Sequence, residues 1–173
     1  MTEIIIQYHK TAIGELVIGS YQDKLCLLDY RYRKMRTSVD RRIAKGLNAT
    51  MVMGISDSNQ RAIEQLEEYL AGERTAFDIA LEMVGTDFQQ SVWNTLVTIP
   101  YGETWSYADL AKQLGDANAV RAVASANGAN AIAVIIPCHR VIGSDGSLTG
   151  YAGGLPAKKK LLALEKTDLF SAA

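Results

Sequence analysis

Cys138 and His139 are adjacent residues with side chains suited to nucleophilic chemistry, and they follow Pro137 at the end of an apolar run that begins at Ala131. A cysteine in such a run usually packs as a small hydrophobic residue. Here its neighbours are a proline, which restricts the backbone, and two ionisable side chains, His139 and Arg140. These neighbours favour a reactive thiol over a packing role.

A thiol at this position needs activation. An ordinary cysteine, with a pKa of about 8.5, is only a few per cent thiolate at pH 7, so it requires a base or a nearby positive charge. His139 is the adjacent candidate base. In a regular strand, however, the side chains of Cys138 and His139 would point to opposite faces. The sequence therefore predicts a turn after Pro137, or a water molecule that bridges the thiol and the imidazole.

Composition places the chain among globular proteins. It has 173 residues, of which 48% are hydrophobic and 21% are charged, which suits one compact domain or two small ones. No apolar run approaches the roughly 18 residues that a membrane span needs, so we expect no membrane partner. The start, Met1 to Ile4, lacks the pattern of a secretory signal. We expect a cytoplasmic protein with reduced thiols.

The cysteines and histidines do not form a metal-binding pattern. Cys26 and Cys138 are far apart in sequence, and His9 and His139 are the histidines of the chain. A four-ligand zinc site would have to use all four residues. We predict no metal and no cofactor.

Charge gives two opposing signals. The formal net charge of -1 does not indicate nucleic-acid binding, which normally needs a basic surface. Two local clusters are basic, however: a segment in residues 31–45, and Lys158-Lys159-Lys160 near the cysteine. Such runs are usually solvated helix faces, and contact between the first cluster and DNA stays open. That cluster comprises Arg31, Arg33, Lys34, Arg36, Arg41, Arg42 and Lys45.

The first half predicts a small sheet with helices. Residues 4–8, 14–19 and 25–30 have the pattern of three short strands joined by polar turns, an antiparallel meander. Helices are predicted over 34–45 and over 58–70. This half is an α+β scaffold.

The second half is predicted to be mainly helical. An apolar stripe from Phe88 to Leu96 has helical spacing, and Ser106 is a predicted N-cap for a helix over 107–114. Asn118 is a predicted cap for a further helix over 119–127, which completes a helix-turn-helix outline. Because the pattern changes near residues 81–87, we predict domains at 1–84 and 85–173.

The second helix of this outline does not suit reading of bases in the major groove. Between Ala119 and Ala126 it carries a single long polar side chain, Arg121, whereas major-groove readers present several. Small side chains would let the helix approach a narrow minor groove with Arg121 as a probe. An alanine-rich core helix is the alternative, and the pattern does not decide between them.

Taken together, these residues resemble the O6-alkylguanine-DNA alkyltransferases, or methylated-DNA–protein-cysteine methyltransferases. The resemblance covers Thr86 to Glu165, and the first half of the chain matches only in general outline. It implies an N-terminal α/β domain with a small antiparallel, ribonuclease H-like sheet and a mainly helical C-terminal domain. The matching motifs are Phe88-Gln89-Gln90-Ser91-Val92-Trp93, Ile99-Pro100-Tyr101-Gly102-Glu103, Ser106-Tyr107-Ala108-Asp109-Leu110-Ala111, Asn130, Pro137-Cys138-His139-Arg140-Val141 and Tyr151-Ala152-Gly153-Gly154.

The resemblance implies a suicide enzyme for DNA repair. Cys138 would accept the alkyl group from O6 of guanine in one irreversible step, with O4-methylthymine left open as a second substrate. A water molecule would lie between the thiol and His139, and Glu165 would orient the imidazole, as in a hydrolase triad. Without the resemblance, Glu165 would be taken for a surface residue. For Arg140 we favour a structural salt bridge.

The implied partner is double-stranded DNA, bound through its minor groove by a monomer associated with the nucleoid. The alkylated nucleotide must be flipped out of the duplex. Arg121 matches the family's arginine finger, which enters the stack. Tyr107 matches a phenol that helps to rotate the nucleotide and donates to the base, which improves guanine as a leaving group. The further predicted DNA contacts are Ser106, Ala119, Ala122, Ser125 and Asn127.

The resemblance also defines a base and alkyl pocket. Asn130 would brace the loop around the motif. An ordinary role as a turn residue is compatible with this. The carbonyls of Cys138 and Val141 would accept from the guanine amine, and an amide of residues 151–154 would face O6. Ala152 replaces the serine of other members, which leaves tolerance of bulky alkyl groups open. The pocket residues are Val141, Tyr151, Ala152, Gly153 and Lys158.

Two alternatives are retained. A lesion-binding protein of the alkyltransferase-like type would lack the acceptor cysteine, so Cys138 argues against it. A cysteine hydrolase would use Cys138, His139 and Glu165 with repeated turnover and without Arg121. The stoichiometry of the reaction distinguishes it from a transferase.

Overall fold

The computed structural model describes residues 2–172, and it describes side chains for residues 2–166. The chain divides into two compact units between Gly85 and Thr86. The first unit holds a sheet with two helices, and the second is mainly helical. The predicted α+β fold class is confirmed. None of the described helices is both long and apolar enough to cross a membrane.

The first unit is built on a four-stranded sheet. Strands β1, β2 and β3 form the predicted antiparallel meander, and β4 lies beside β1 and parallel to it. The sheet is therefore mixed, because β4 adds a parallel pair to the predicted antiparallel strands. Parallel neighbours need a crossover connection, which α1 provides. The elements are β1 Thr2–Thr11, β2 Gly14–Tyr21, β3 Lys24–Tyr30, α1 Arg36–Leu47, β4 Ala49–Met53 and α2 Asp57–Leu70.

The core of this unit lies between the sheet and α2. Ser56 caps α2 by accepting from the Asn59 amide, so the helix begins one residue before the predicted position. Leu66 and Tyr69 of α2 are fully buried, as are Ile18 and Leu27 of the sheet. The apolar stripe of α2 and the buried strands thus supply the hydrophobic stabilisation of the scaffold.

Part of the basic segment is paired inside the first unit. The buried Asp29 carboxylate accepts from Arg33 at 2.9 Å and from Arg36 at 3.1 Å. Arg31 pairs with Glu15 and lies over the ring of Tyr8. These three arginines therefore fix the connection between β3 and α1, which favours a structural role for them.

In the described residues, the second unit combines four helices with the cysteine motif. Trp93 of α3 donates to the Ala126 carbonyl of α5 at 2.9 Å, which ties these two helices together. Strands β5 and β6 pair in parallel, with Trp105 opposite Val141. The elements are α3 Asp87–Leu96, β5 Trp105–Ser106, α4 Tyr107–Gln113, α5 Val120–Gly128, a 3₁₀ turn Cys138–Arg140, β6 Val141–Ile142 and α6 Leu155–Ala172.

The cap of α4 is as predicted and that of α5 is not. Ser106 and Asp109 form a capping box at the start of α4. Asn118, the predicted cap of α5, is replaced by Ala119, which makes no side-chain cap. The reason is a turn in which Asp116 accepts from the amides of both Asn118 and Ala119. The helix therefore begins after this turn.

Candidate active site

The backbone turns sharply on both sides of Pro137. Ile135 N–H donates to Ala133 O at 2.8 Å around Val134, whose φ is +70°. Cys138 N–H donates to Ile136 O at 2.8 Å around Pro137. Both are γ-turns, and the first is of the rare, strained kind. The 3₁₀ turn then begins at Cys138, so the predicted turn after Pro137 is confirmed.

Asn130 holds this segment from inside. Its side chain is buried, its Nδ2 donates to Ile136 O at 2.9 Å, and its Oδ1 accepts from Ile132 N at 3.0 Å. These bonds satisfy backbone groups that a regular strand or helix would otherwise pair. Asn130 therefore determines the path of the chain into Cys138, which is the geometry expected of a brace.

His139 and Glu165 form a fully enclosed pair. Their side chains are 0% and 1% exposed, and His139 Nε2 lies 2.9 Å from Glu165 Oε2. Because a carboxylate only accepts, Nε2 carries the proton and Nδ1 keeps its lone pair. His139 Nδ1 is buried and has no hydrogen-bond partner among the described residues. The imidazole thus presents an unused basic nitrogen within the turn that holds Cys138.

Burial determines the charge of this imidazole. Loss of solvent lowers the pKa of His139 below its ordinary value, and the bond to Glu165 opposes this shift. Arg140 and Lys158 lower the pKa further through their positive charges. A neutral imidazole that keeps a lone pair on Nδ1 is the form required of a general base.

Arg140 closes the other side of the same carboxylate. Its Nε donates to Glu165 Oε1 and its Nη2 donates to Glu165 Oε2, both at 2.9 Å, and its Nη1 donates to Ile99 O at 2.7 Å. The salt bridge predicted for Arg140 is confirmed, and it is bidentate. It attaches the 3₁₀ turn to α6 and supplies a positive charge for a buried carboxylate.

A second buried cation lies near the thiol. Lys158 on α6 is completely buried and donates to Val141 O at 2.7 Å. Burial lowers the pKa of Lys158, and the charge of Cys138 acts in the opposite direction. Electrostatic attraction between an ammonium and a sulfur favours the thiolate. Cys138 itself is 6% exposed, so its thiol has limited access to solvent.

Tyr107 lies at the start of α4, beside the cysteine motif. Pairing of β5 with β6 sets Ser106 opposite Ile142, so the next residue, Tyr107, emerges close to the end of the motif. The phenol oxygen of Tyr107 lies 2.7 Å from Thr149 Oγ1. Sequence reasoning missed Thr149, because no local pattern links positions 42 residues apart.

Helix α5 presents one small-residue face to solvent. Arg121, Ala122 and Ser125 are exposed, while Val123 is buried on the opposite face. Asn127, another predicted DNA contact, is only 6% exposed. Helical periodicity explains this burial, because residues 123 and 127 lie one turn apart on the same face of α5. Ser106 is half-buried, and its hydroxyl accepts from Asp109 N.

The predicted pocket residues lie between β6 and α6. Tyr151, Ala152 and Gly153 are half-buried, and Val141 is buried. Gly154, which precedes α6, has a φ of +88°, a conformation that favours glycine. The chain can therefore turn tightly into α6 and bring Lys158 back to Val141.

Metal ligands do not gather in the described part of the chain. Within residues 2–166, no three side chains of His, Cys, Asp or Glu are placed to hold a metal ion. The second cysteine, Cys26, lies in the sheet of the first unit, and its thiol donates to Gly19 O at 3.6 Å. Burial raises the pKa of the Cys26 thiol to about 12. This thiol is unsuited to nucleophilic attack.

Known proteins resemble this chain in sequence. The protein-family model described as the DNA-binding domain of 6-O-methylguanine DNA methyltransferase matches residues 87–167. Methylated-DNA–protein-cysteine methyltransferases of Mycobacterium bovis and Methanosarcina acetivorans are 59% and 57% identical over 106 residues, or 61% of this chain. These matches span 64% of the M. bovis protein and 68% of the M. acetivorans protein.

Solved structures extend the likeness to both units. The crystal structure of Mycobacterium tuberculosis OGT in complex with DNA is 43% identical, with a TM-score of 0.80. The match covers 96% of this chain and 94% of that chain. The fold and the cysteine motif together define a protein of the alkyltransferase class. The chain belongs to the methylated-DNA–protein-cysteine methyltransferase family.

The environments of the two thiols predict selective labelling. Iodoacetamide added to the folded protein should alkylate Cys138 and leave Cys26 unmodified, because the Cys26 thiol is buried with a pKa of about 12. Peptide mapping by mass spectrometry would locate the label, and the unfolded protein, labelled at both residues, is the control. Equal labelling of both residues in the folded protein would contradict the assignment.

Proposed function

We propose that this protein repairs DNA by direct reversal of alkylation. It transfers the alkyl group of O6-alkylguanine to Cys138 and is consumed after one turnover. The observation that carries the proposal is the enclosed His139–Glu165 pair, whose Nδ1 keeps a lone pair within the turn of Cys138. The named methyltransferase relatives supply the substrate class.

The relay runs from the thiol to Glu165. A water molecule between Cys138 Sγ and His139 Nδ1 takes the thiol proton and passes one to the imidazole, as in a hydrolase triad. The thiolate attacks the alkyl carbon, the C–O6 bond breaks, and its electron pair remains on the purine. The purine takes up one proton, which balances the proton that the thiol lost to the relay, and leaves as guanine, and Cys138 becomes a thioether. Lys158 and the Glu165 carboxylate stabilise the charges that develop during these steps.

The proposed partner is double-stranded DNA, approached through its minor groove. A buried thiol cannot reach O6 within a duplex, so the nucleotide must be flipped at a cost of a few kcal/mol. The exposed face of α5 carries Ala122 and Ser125, which permit close approach, and Arg121, which fills the place of the base. Ala119 and Ser106 flank this helix-turn-helix surface. Tyr107 rotates the nucleotide and donates to the purine.

The pocket for the flipped base lies between β6 and α6. The carbonyls of Cys138 and Val141 accept from the guanine amine; a carbonyl has two lone pairs, so the bond from Lys158 leaves one of them on Val141. Tyr151, Ala152 and Gly153 line the alkyl side, and Asn130 keeps the motif in its turn. No cofactor is required, because the alkyl acceptor is part of the chain.

In this proposal, residues 1–84 are the scaffold domain and residues 85–173 bind DNA and accept the alkyl group. A monomer suffices, because every proposed catalytic group lies in one chain. A DNA substrate and a thiol that must stay reduced favour a cytoplasmic, nucleoid-associated protein. The methyltransferase names of the relatives favour transfer over the hydrolase alternative.

Intact-protein mass spectrometry tests the transfer directly. Mixing with a duplex that contains O6-methylguanine should add one methylene mass per chain, located on Cys138, because the acceptor is not regenerated. Cys138→Ala should show no mass change, and Cys26→Ala should react as the wild type does. An unmodified wild-type protein that turns over substrate repeatedly would establish a hydrolase instead.

The rate of methyl transfer should be maintained in mildly acidic solution. Burial lowers the pKa of His139 below its ordinary value of 6.5, so the neutral, basic form persists to a lower pH. Single-turnover methyl transfer, followed from about pH 8 downward, should therefore begin to fall only below 6.5. DNA binding by Cys138→Ala over the same range separates binding from chemistry. An acid limb centred above 6.5 would contradict the assigned environment.

Arg121→Ala should impair repair of duplex DNA far more than reaction with free O6-benzylguanine. Flipping costs a few kcal/mol, and loss of the residue that fills the gap should slow duplex repair by about tenfold or more. Lys24→Ala removes one exposed positive charge from the first unit and serves as the matched control. Equal losses of rate on both substrates would contradict the proposed role of Arg121 as the arginine finger. If the free base does not react, an alkylated single strand replaces it.

A further inference from the structure

The segment between β6 and α6 contributes a hydroxyl to the site that the proposed mechanism does not use. Thr149 is half-buried, and its Oγ1 lies 2.7 Å from the phenol oxygen of Tyr107. Either hydroxyl can donate in such a pair, and the choice decides where the other proton points. The groups around Thr149 therefore determine the direction of the Tyr107 donor.

Lys158 lies on the other side of Thr149. Its Nζ is 3.4 Å from Thr149 O and 3.5 Å from Thr149 Oγ1, in addition to its short bond to Val141 O. An ammonium has three protons and no lone pair, so it can only donate. One lone pair of Thr149 Oγ1 therefore faces Lys158, and the longer distance implies a weak hydrogen bond.

A hydroxyl that accepts from an ammonium becomes a stronger donor, which favours donation from Thr149 to the Tyr107 oxygen. The phenol then accepts from Thr149, and its own proton is free to point elsewhere. A series of donors results, from Lys158 through Thr149 to Tyr107. Each bond in such a series polarises the next one and strengthens the terminal donor.

We propose that Thr149 is a positioning residue that turns the phenol proton of Tyr107 toward the flipped alkylated base. This inference rests on the proposed function. When the C–O6 bond breaks, its electron pair stays on the purine, and a correctly directed phenol hydrogen bond stabilises that charge. Thr149 contacts neither the thiol nor the alkyl group in this role, and it acts only through Tyr107.

Two substitutions separate the hydroxyl from the shape of the side chain. Thr149→Val keeps the branched shape and removes the hydroxyl, so the single-turnover methyl-transfer rate at saturating DNA should fall by about tenfold, the effect of losing one hydrogen bond. Thr149→Ser restores the hydroxyl and should react within about twofold of the wild type. Ser147→Ala, in the same segment, is the matched control and should leave the rate unchanged. Iodoacetamide labelling of Cys138 should be the same in all variants.

A double-mutant cycle with Tyr107→Phe identifies the route of the effect. If Thr149 acts through the phenol, Thr149→Val should cause no further loss when Tyr107 is already Phe. A base analogue with carbon in place of N1 or N3 provides a second check. On the analogue with which Tyr107→Phe has no effect, Thr149→Val should also have none.

The outcomes are distinct. Equal losses from Thr149→Val in the wild-type and Tyr107→Phe backgrounds would overturn the inference, as would a wild-type rate in Thr149→Val. If Thr149→Val fails to fold, Thr149→Ala with the Thr149→Ser comparison replaces it. Wild-type protein that adds no methyl group to Cys138 would overturn the proposed function as well, whereas normal wild-type transfer leaves only the role of Thr149 in question.

Discussion

The arrangement around the thiol depends on one buried carboxylate. Glu165 accepts from His139 and, through both of its oxygens, from Arg140. Without Glu165, a guanidinium and an imidazole would lie buried without their acceptor, a costly loss in a protein interior. The same contacts select the tautomer of His139 and attach the 3₁₀ turn to α6. Glu165 thus links the chemistry of the site to the stability of its fold.

Backbone turns also position the segment that carries Cys138. The γ-turns around Val134 and Pro137 bend the chain. Cys138 and His139 therefore lie in one 3₁₀ turn and not on opposite faces of a strand. Asn130 supplies the hydrogen bonds that this bent path would otherwise lack. Strain at Val134 is tolerated because the surrounding buried contacts hold it in place. Buried hydrogen bonds therefore hold the turn that carries Cys138.

Local patterns predicted the elements and failed at two identifiable points. Helices α2, α3 and α4 follow from apolar spacing and Ser or Thr caps, signals that act within a few residues. Strand β4 has five residues and no clear alternation, so its pairing with β1 was not visible. Asn118 is a good N-cap by residue type, but it lies in a turn in which Asp116 accepts from its amide.

The sequence by itself indicated a candidate nucleophile, a candidate base beside it and the need for a turn between them, because these follow from residue types and from proline's fixed backbone. It also determined the family, through motifs that are contiguous in the chain. Only the tertiary structure decided that Arg140 shares Glu165 with His139, that Lys158 is buried against Val141, and that Thr149 touches Tyr107. These contacts join residues far apart in the chain, and burial and donor direction depend on three-dimensional packing.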